Sequence, residues 1–190
     1  MALTYPAIPG YGSKISRTFK YHNTRSFINL YKSYVRPHLE FAIQAWSPHL
    51  KKDIQTLEKV QRRATRHIQG METLTYQERL ESTGLYSLEC RRKRGDLIET
   101  FKILNDLEDI DKEKFFTITP QSRTRGGPQK LYKKSFRTDV RGNFFSQRIV
   151  NSWNALPNNI KESQTVNSFK GSLDRYRKSI KFGHQLDLQA

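Results

Sequence analysis

Between residues 24 and 46 the apolar and amphipathic positions are Phe27, Leu30, Tyr31, Tyr34, Val35, His38, Leu39, Ala42, Ile43 and Trp46. The steps run in threes and ones, which is the pattern of one face of an α-helix. Thr24, just ahead of the run, suits an N-cap. Pro37 falls inside it. A proline there removes one backbone hydrogen bond and leaves the carbonyl of Ser33 without its partner. Because the apolar phase is kept across Pro37, the pattern predicts a single helix kinked at that residue. The alternative is a tight break with Pro37 as the first residue of a new helix.

The next apolar set is Ile54, Leu57, Val60, Ala64 and Ile68. Ser47 and Pro48 read as its N-cap and first helical residue, and Gly70 as its stop after Gln69. At about 100° per residue, Lys51, Lys52, Lys59, Arg62, Arg63 and Arg66 share an arc of roughly 120° opposite the apolar set. Asp53 and Glu58 lie off that arc. A solvated helix usually mixes acids among its bases. Six cations segregated on one face are instead the expected footprint of a polyanion-binding rail, with a plain solvated face as the alternative.

Further along, Thr75 and Glu78 have capping-box spacing, and Gly84 closes the short helix they open. A long helix follows from about Ser87 to Asn105, with Cys90, Leu97, Phe101 and Leu104 on its inner side. Arg91, Arg92, Lys93 and Arg94 are consecutive, so they fan around this helix and only some of them can face one ligand. Composition shifts near residue 106, where Asp106, Glu108, Asp109 and Asp111 form an acidic joint. Residues 121–130 read as a polar loop, and 130–141 as a strand or hairpin arm. From Arg123 to Arg148 the cations are Arg123, Arg125, Lys130, Lys133, Lys134, Arg137, Arg141 and Arg148, interleaved with Tyr132, Phe136, Phe144 and Phe145. Such interleaving suits phosphate contact with base stacking. Phe144 and Phe145 sit in a helical context with Ile149 and Trp153, so they are expected in the core. LPNN at 156–159 stops that helix, and a last one forms around Phe169, Leu173 and Tyr176.

Charge is the strongest global feature: 34 Lys plus Arg against 18 Asp plus Glu in 190 residues, a net charge of +16. A chain this basic calls for polyanionic company, nucleic acid first. At 35% hydrophobic there is enough apolar material for a core. The single cysteine excludes an internal disulfide and a Cys-rich zinc site. No run is long and apolar enough for a signal peptide or a membrane span, so an intracellular protein is expected. No histidine pair has metal-ligand spacing, and there is no phosphate-cradling glycine loop and no adjacent Asp-Asp pair for two-metal phosphoryl transfer. No cofactor, metal or small-molecule substrate is expected, and catalysis by this chain alone has no support.

The run LYKSYVRPHLEFAIQAWSPHLKKDIQTLEKVQRRATRHIQG, 30–70, closely resembles the C-terminal region of LINE-type (non-LTR) retrotransposon reverse transcriptases, especially the jockey and chicken-repeat-like groups. The resemblance continues through YQERLESTGLYSLECRRKRGDLIETFKIL at 76–104, FFSQRIVNSWNALP at 144–157 and SFKGSLD at 168–174. It implies the thumb and downstream part of an RNA-directed DNA polymerase, a helical bundle that holds the template–primer duplex. The family's catalytic aspartate motif lies in an upstream palm and has no counterpart in these residues.

The expected fold is mostly α. An unstructured lead (1–14) precedes a thumb-like helical bundle (15–106), a basic α-rich extension with at most one short hairpin (107–182) and a tail (183–190). The expected function is sequence-independent binding of an RNA–DNA or DNA duplex, in the nucleus or a cytoplasmic ribonucleoprotein. The candidate contacts are Lys51, Lys52, Lys59, Arg62, Arg63, Arg66, Arg91, Arg92, Arg123, Arg125, Lys133, Lys134, Arg137, Arg141 and Arg148. A domesticated protein-interaction module is the alternative.

Overall fold

A computed structural model describes residues 23–119 and 129–179. The lead, most of the polar loop with Arg123 and Arg125, and the tail lie outside the described residues. The fold is mostly helical, as the periodicities predict. In chain order the helices are α1 (Thr24–Leu30), a π-helical turn (Tyr31–Val35), α2 (Arg36–Glu40), α3 (Ile43–Trp46), α4 (Lys51–Arg66), α5 (Tyr76–Thr83), α6 (Leu88–Leu104), α7 (Lys112–Phe115), α8 (Asp139–Gly142), α9 (Phe145–Arg148), α10 (Val150–Asn154), α11 (Asn158–Lys161) and α12 (Val166–Ser179). Among the described residues the expected hairpin is reduced to one antiparallel bridge, Ile118 to Leu131.

The chain divides into two compact units. One joins the described chain up to Phe41 with Leu50–Glu89, and the other joins Ala42–His49 with the chain from Cys90 onward. This division does not coincide with the compositional shift near residue 106. Composition there follows surface charge, whereas the units follow burial, and Leu97, Phe101 and Leu104 bury with the C-terminal residues.

In the first unit the chain stays helical from Thr24 to Glu40, passing through Pro37. The turn ahead of the proline widens instead of simply kinking: the Arg36 N–H reaches back to the carbonyl of Tyr31, five residues away. Pro37 then sits in the first turn of α2, directly after this widened turn, where a missing N–H is best tolerated. The buried seam therefore recurs every fourth residue, at Phe27, Tyr31, Val35 and Leu39. Three expectations need correction here. Tyr34 and His38 do not share the buried face and are exposed. The helix does not run on to Trp46, because Phe41 is extended and Ala42 is left-handed at φ 49°. The N-cap is Asn23, whose Oδ1 accepts the Ser26 N–H at 2.7 Å, and not Thr24. The seam packs with Ala64 and Ile68 of α4 and with Met71, Leu80, Leu85 and Leu88.

Helix α4 starts at Lys51 behind Leu50, which offers no side-chain cap. Ser47 is not its N-cap: the Ser47 N–H instead closes the preceding turn on the carbonyl of Ile43, at 2.9 Å. Helix α5 has the expected capping box. Glu78 accepts from the Thr75 N–H at 2.6 Å while the Thr75 hydroxyl accepts from the Glu78 N–H at 3.3 Å. Gly84 ends α5 at φ 62°.

The second unit is organised around Trp153, Phe169 and Leu173, all fully buried. Phe101 of α6 stacks on Phe169 with ring centroids 4.3 Å apart. The Asn154 side chain stands in for a neighbouring strand: it accepts the Leu131 N–H at 2.9 Å and donates to the Leu131 carbonyl at 2.8 Å. The Trp153 indole N–H donates to the carbonyl of Gln129 at 2.9 Å. Together these bonds hold the incoming chain against the core.

Candidate nucleic-acid interface

The outward face of α4 carries Lys51, Lys52, Lys59, Arg62, Arg63 and Arg66, and all six are exposed. None of them makes an ion pair among the described residues. At 1.5 Å per residue the face runs about 22 Å from Lys51 to Arg66. That length equals about six base-pair steps of a nucleic-acid duplex, at about 3.4 Å each.

The underside of α4 is fixed by a polar network. Gln61 is fully buried. Its Oε1 accepts from the Tyr31 hydroxyl at 2.7 Å, and its amide donates to the Tyr76 hydroxyl at 3.0 Å and to the carbonyl of Tyr86 at 2.9 Å. By helical angle Gln61 falls between Ile54 and Ile68, so a polar residue inside the apolar arc was the available sign of this role.

Glu58 sits close to the cationic arc but is committed elsewhere. Its carboxylate accepts the Tyr76 hydroxyl and the N–H of Leu88, the latter at 3.1 and 3.2 Å, and so caps the start of α6 from another helix. Burial, and next the charge of Glu58, raise the Tyr76 hydroxyl far above the ordinary tyrosine range, so it stays a donor. The Tyr76 ring in turn lies under Arg62, 4.8 Å from its guanidinium carbon. The network thus orients one cation of the outer face and keeps the nearest acid from neutralising it.

The basic run of α6 behaves differently. Arg92 is buried, with 3% of its surface exposed, and cannot present a guanidinium to an outside ligand. Its charge lies near Asp96. Arg91 is half-buried. Arg94 is paired with Asp174 through two bonds of 2.7 Å, which hold the Asp174 carboxyl below its ordinary value against the opposing effect of burial.

Arg148 is a second correction among the candidate contacts. Its guanidinium grips Asp96 at 2.9 and 3.1 Å and also donates to the carbonyls of Ile43, Gln44 and Asn143 at 3.1–3.3 Å. Every nitrogen is turned inward, so Arg148 holds the fold together. Consecutive arginines and an isolated arginine carry no periodic sign of which way they face, which is why sequence grouped them with the surface cations.

Lys133, Lys134, Arg137 and Arg141 are exposed. Phe145 is in the core as expected, but Phe144 is not. It is 47% exposed, with the Arg141 guanidinium 5.1 Å above its ring.

Among the described residues no cluster of His, Cys, Asp and Glu could hold a metal ion, and no helix is long and apolar enough to cross a membrane. Comparison with family models, with curated proteins and with solved structures finds no match to this chain.

Proposed function

We propose that this chain binds nucleic-acid duplexes through their backbones, with the exposed face of α4 as the phosphate-contacting surface. The observation that carries the reading is the six-cation face of Lys51–Arg66, free of paired acids among the described residues, over an underside packed into the core and tied by the hydrogen bonds of Gln61. Lysine and arginine on a helix face neutralise phosphates without reading base edges, so affinity comes without sequence preference. The resemblance to LINE-type reverse transcriptases supports the same reading: a thumb holds a template–primer duplex by its backbone. In this proposal the chain contributes duplex holding to an RNA-directed DNA polymerase and supplies no catalytic group of its own.

The test is fluorescence anisotropy with an RNA–DNA hybrid across a salt series. Wild type is compared with a Lys59→Gln, Arg62→Gln, Arg63→Gln, Arg66→Gln variant, both checked for fold by circular dichroism. Wild type should show a steep fall of affinity with salt, and the variant a slope shallower by about three to four, as the release of about 0.9 counterion per phosphate contact requires. Unchanged tight binding in the variant would remove α4 from the interface. A folded wild type that binds no duplex would overturn the proposal and favour a protein-interaction module.

A further inference from the structure

The segment 132–144 in the second unit is built unlike the rest of that unit. It is anchored at both ends. At its start, Leu131 is 2% exposed and held by Asn154, and the Tyr132 N–H donates to the carbonyl of Thr117 at 2.7 Å. At its end, Phe145 enters the core and Arg148 holds the carbonyl of Asn143 at 3.1 Å. Between these anchors no residue is buried.

Three aromatic rings nevertheless lie in this stretch: Tyr132 at 56%, Phe136 at 43% and Phe144 at 47% exposure. Three half-exposed rings within thirteen residues are a concentration of the side chains that can stack on a ligand. Charge indicates which ligand. Lys133, Lys134, Arg137 and Arg141 are exposed among the rings, with Asp139 the one acid in the segment, and none of the four cations is ion-paired among the described residues.

The segment is also braced. Gly142 leaves room for the edge of the Phe136 ring, which lies 2.6 Å from where a Cβ would stand. Thr138 caps α8 by accepting the Arg141 N–H at 3.4 Å, and the Asn143 side chain donates to the carbonyl of Asp139 at 2.7 Å. Rings held out by a braced segment lose little entropy when a ligand stacks on them.

We infer that residues 132–144 form a stacking platform for single-stranded nucleic acid, with Tyr132 and the face of Phe144 turned away from Arg141 receiving bases and Lys133, Lys134 and Arg137 meeting the phosphates. A duplex keeps its bases stacked on each other and offers no free base face, so this ligand is distinct from the one assigned to α4. The inference does not rest on the α4 reading. Stacking on side-chain rings is tolerant of base identity and works together with cationic contacts to the strand.

The test uses the full chain and labelled oligouridine and oligothymidine of about twelve nucleotides, a length within the range such sites cover. Tyr132→Ala with Phe144→Ala should weaken binding of single strands by roughly five-fold or more for each ring removed. The same variant should bind the RNA–DNA hybrid as wild type does. Tyr132→Phe with Phe144→Trp should restore single-strand affinity, which a merely structural role would not do. Both rings are about half exposed, so these changes spare the core. Equal affinity of wild type and the alanine variant for single strands would overturn the inference. So would loss only on replacing Lys133, Lys134, Arg137 and Arg141 by glutamine, since that points to charge alone. Preference for oligouridine would mark RNA as the strand, and preference for oligothymidine DNA. The glutamine variant of α4 separates the two readings: it should lose hybrid binding and keep single-strand binding.

Discussion

Gln61 shows how much one side chain can organise. Replacing it with leucine keeps the volume but leaves the Tyr31 hydroxyl and the Tyr86 carbonyl without the partners they have at 2.7 and 2.9 Å. A lost intramolecular hydrogen bond costs about 0.5–1.5 kcal/mol, so losing its bonds to Tyr31 and Tyr86 should make Gln61→Leu less stable by about 1–3 kcal/mol in urea unfolding. A change below about 0.5 kcal/mol would show that water replaces the amide. Glu78 makes a different kind of contribution, one that depends on pH. Its carboxyl is held below the usual value first by the Thr75 hydroxyl and then by the Thr75 N–H. A depressed carboxylate stabilises fully above its unfolded value and loses that effect as pH falls through the folded value. Protection of the Thr75 amide against exchange should therefore fall as pH drops through and below the ordinary glutamate range, and Glu78→Gln should abolish that dependence. The capping pair could be read directly from its spacing. The inward orientation of Arg92 and Arg148 could not, because an arginine side chain is long enough to serve either surface or interior.

At the scale of elements, glycine gives a paired prediction. Gly84 ends α5 at φ 62°, a conformation that disfavours any Cβ. Gly171 lies inside α12, with nothing within 4 Å of an added Cβ. Gly84→Ala should cost about 1 kcal/mol, whereas Gly171→Ala should add about 0.5–1 kcal/mol. Thermal unfolding of the two variants should shift in opposite directions, and a shared direction would contradict the geometry. The 3.6-residue period located α4, α6 and α12, because each buries an apolar stripe, and the capping residues Thr75, Glu78 and Gly84 located α5. The period misplaced the end of the N-terminal helix. A step of three and one continues on paper through Phe41 and Ala42, but the π turn ahead of Pro37 changes the phase, so the seam recurs every fourth residue instead. The capping role of Glu58 toward α6 was likewise invisible, since a contact between residues 30 positions apart leaves no local pattern.

At the scale of the whole molecule, the net charge of +16 divides into surface and structural parts. The α4 cations and those of 132–144 face solvent, while Arg92, Arg94 and Arg148 are buried or paired with acids. A salt-dependent affinity should therefore count far fewer contacts than the total charge allows, and the slope measured for the α4 variant tests that accounting. Local pattern along the chain sets the helical class, the main helices, the caps at Thr75 and Gly84 and the segregated face of α4. These depend on neighbours within a turn or two, and short-range periodicity records them. Tertiary structure alone decided which arginines turn inward, where the two cores divide within α6, and that Phe144 stays outside while Phe145 enters the core. Those outcomes depend on partners distant in the chain, because burial of an apolar group and pairing of a charge are settled by whatever the fold brings within a few ångströms.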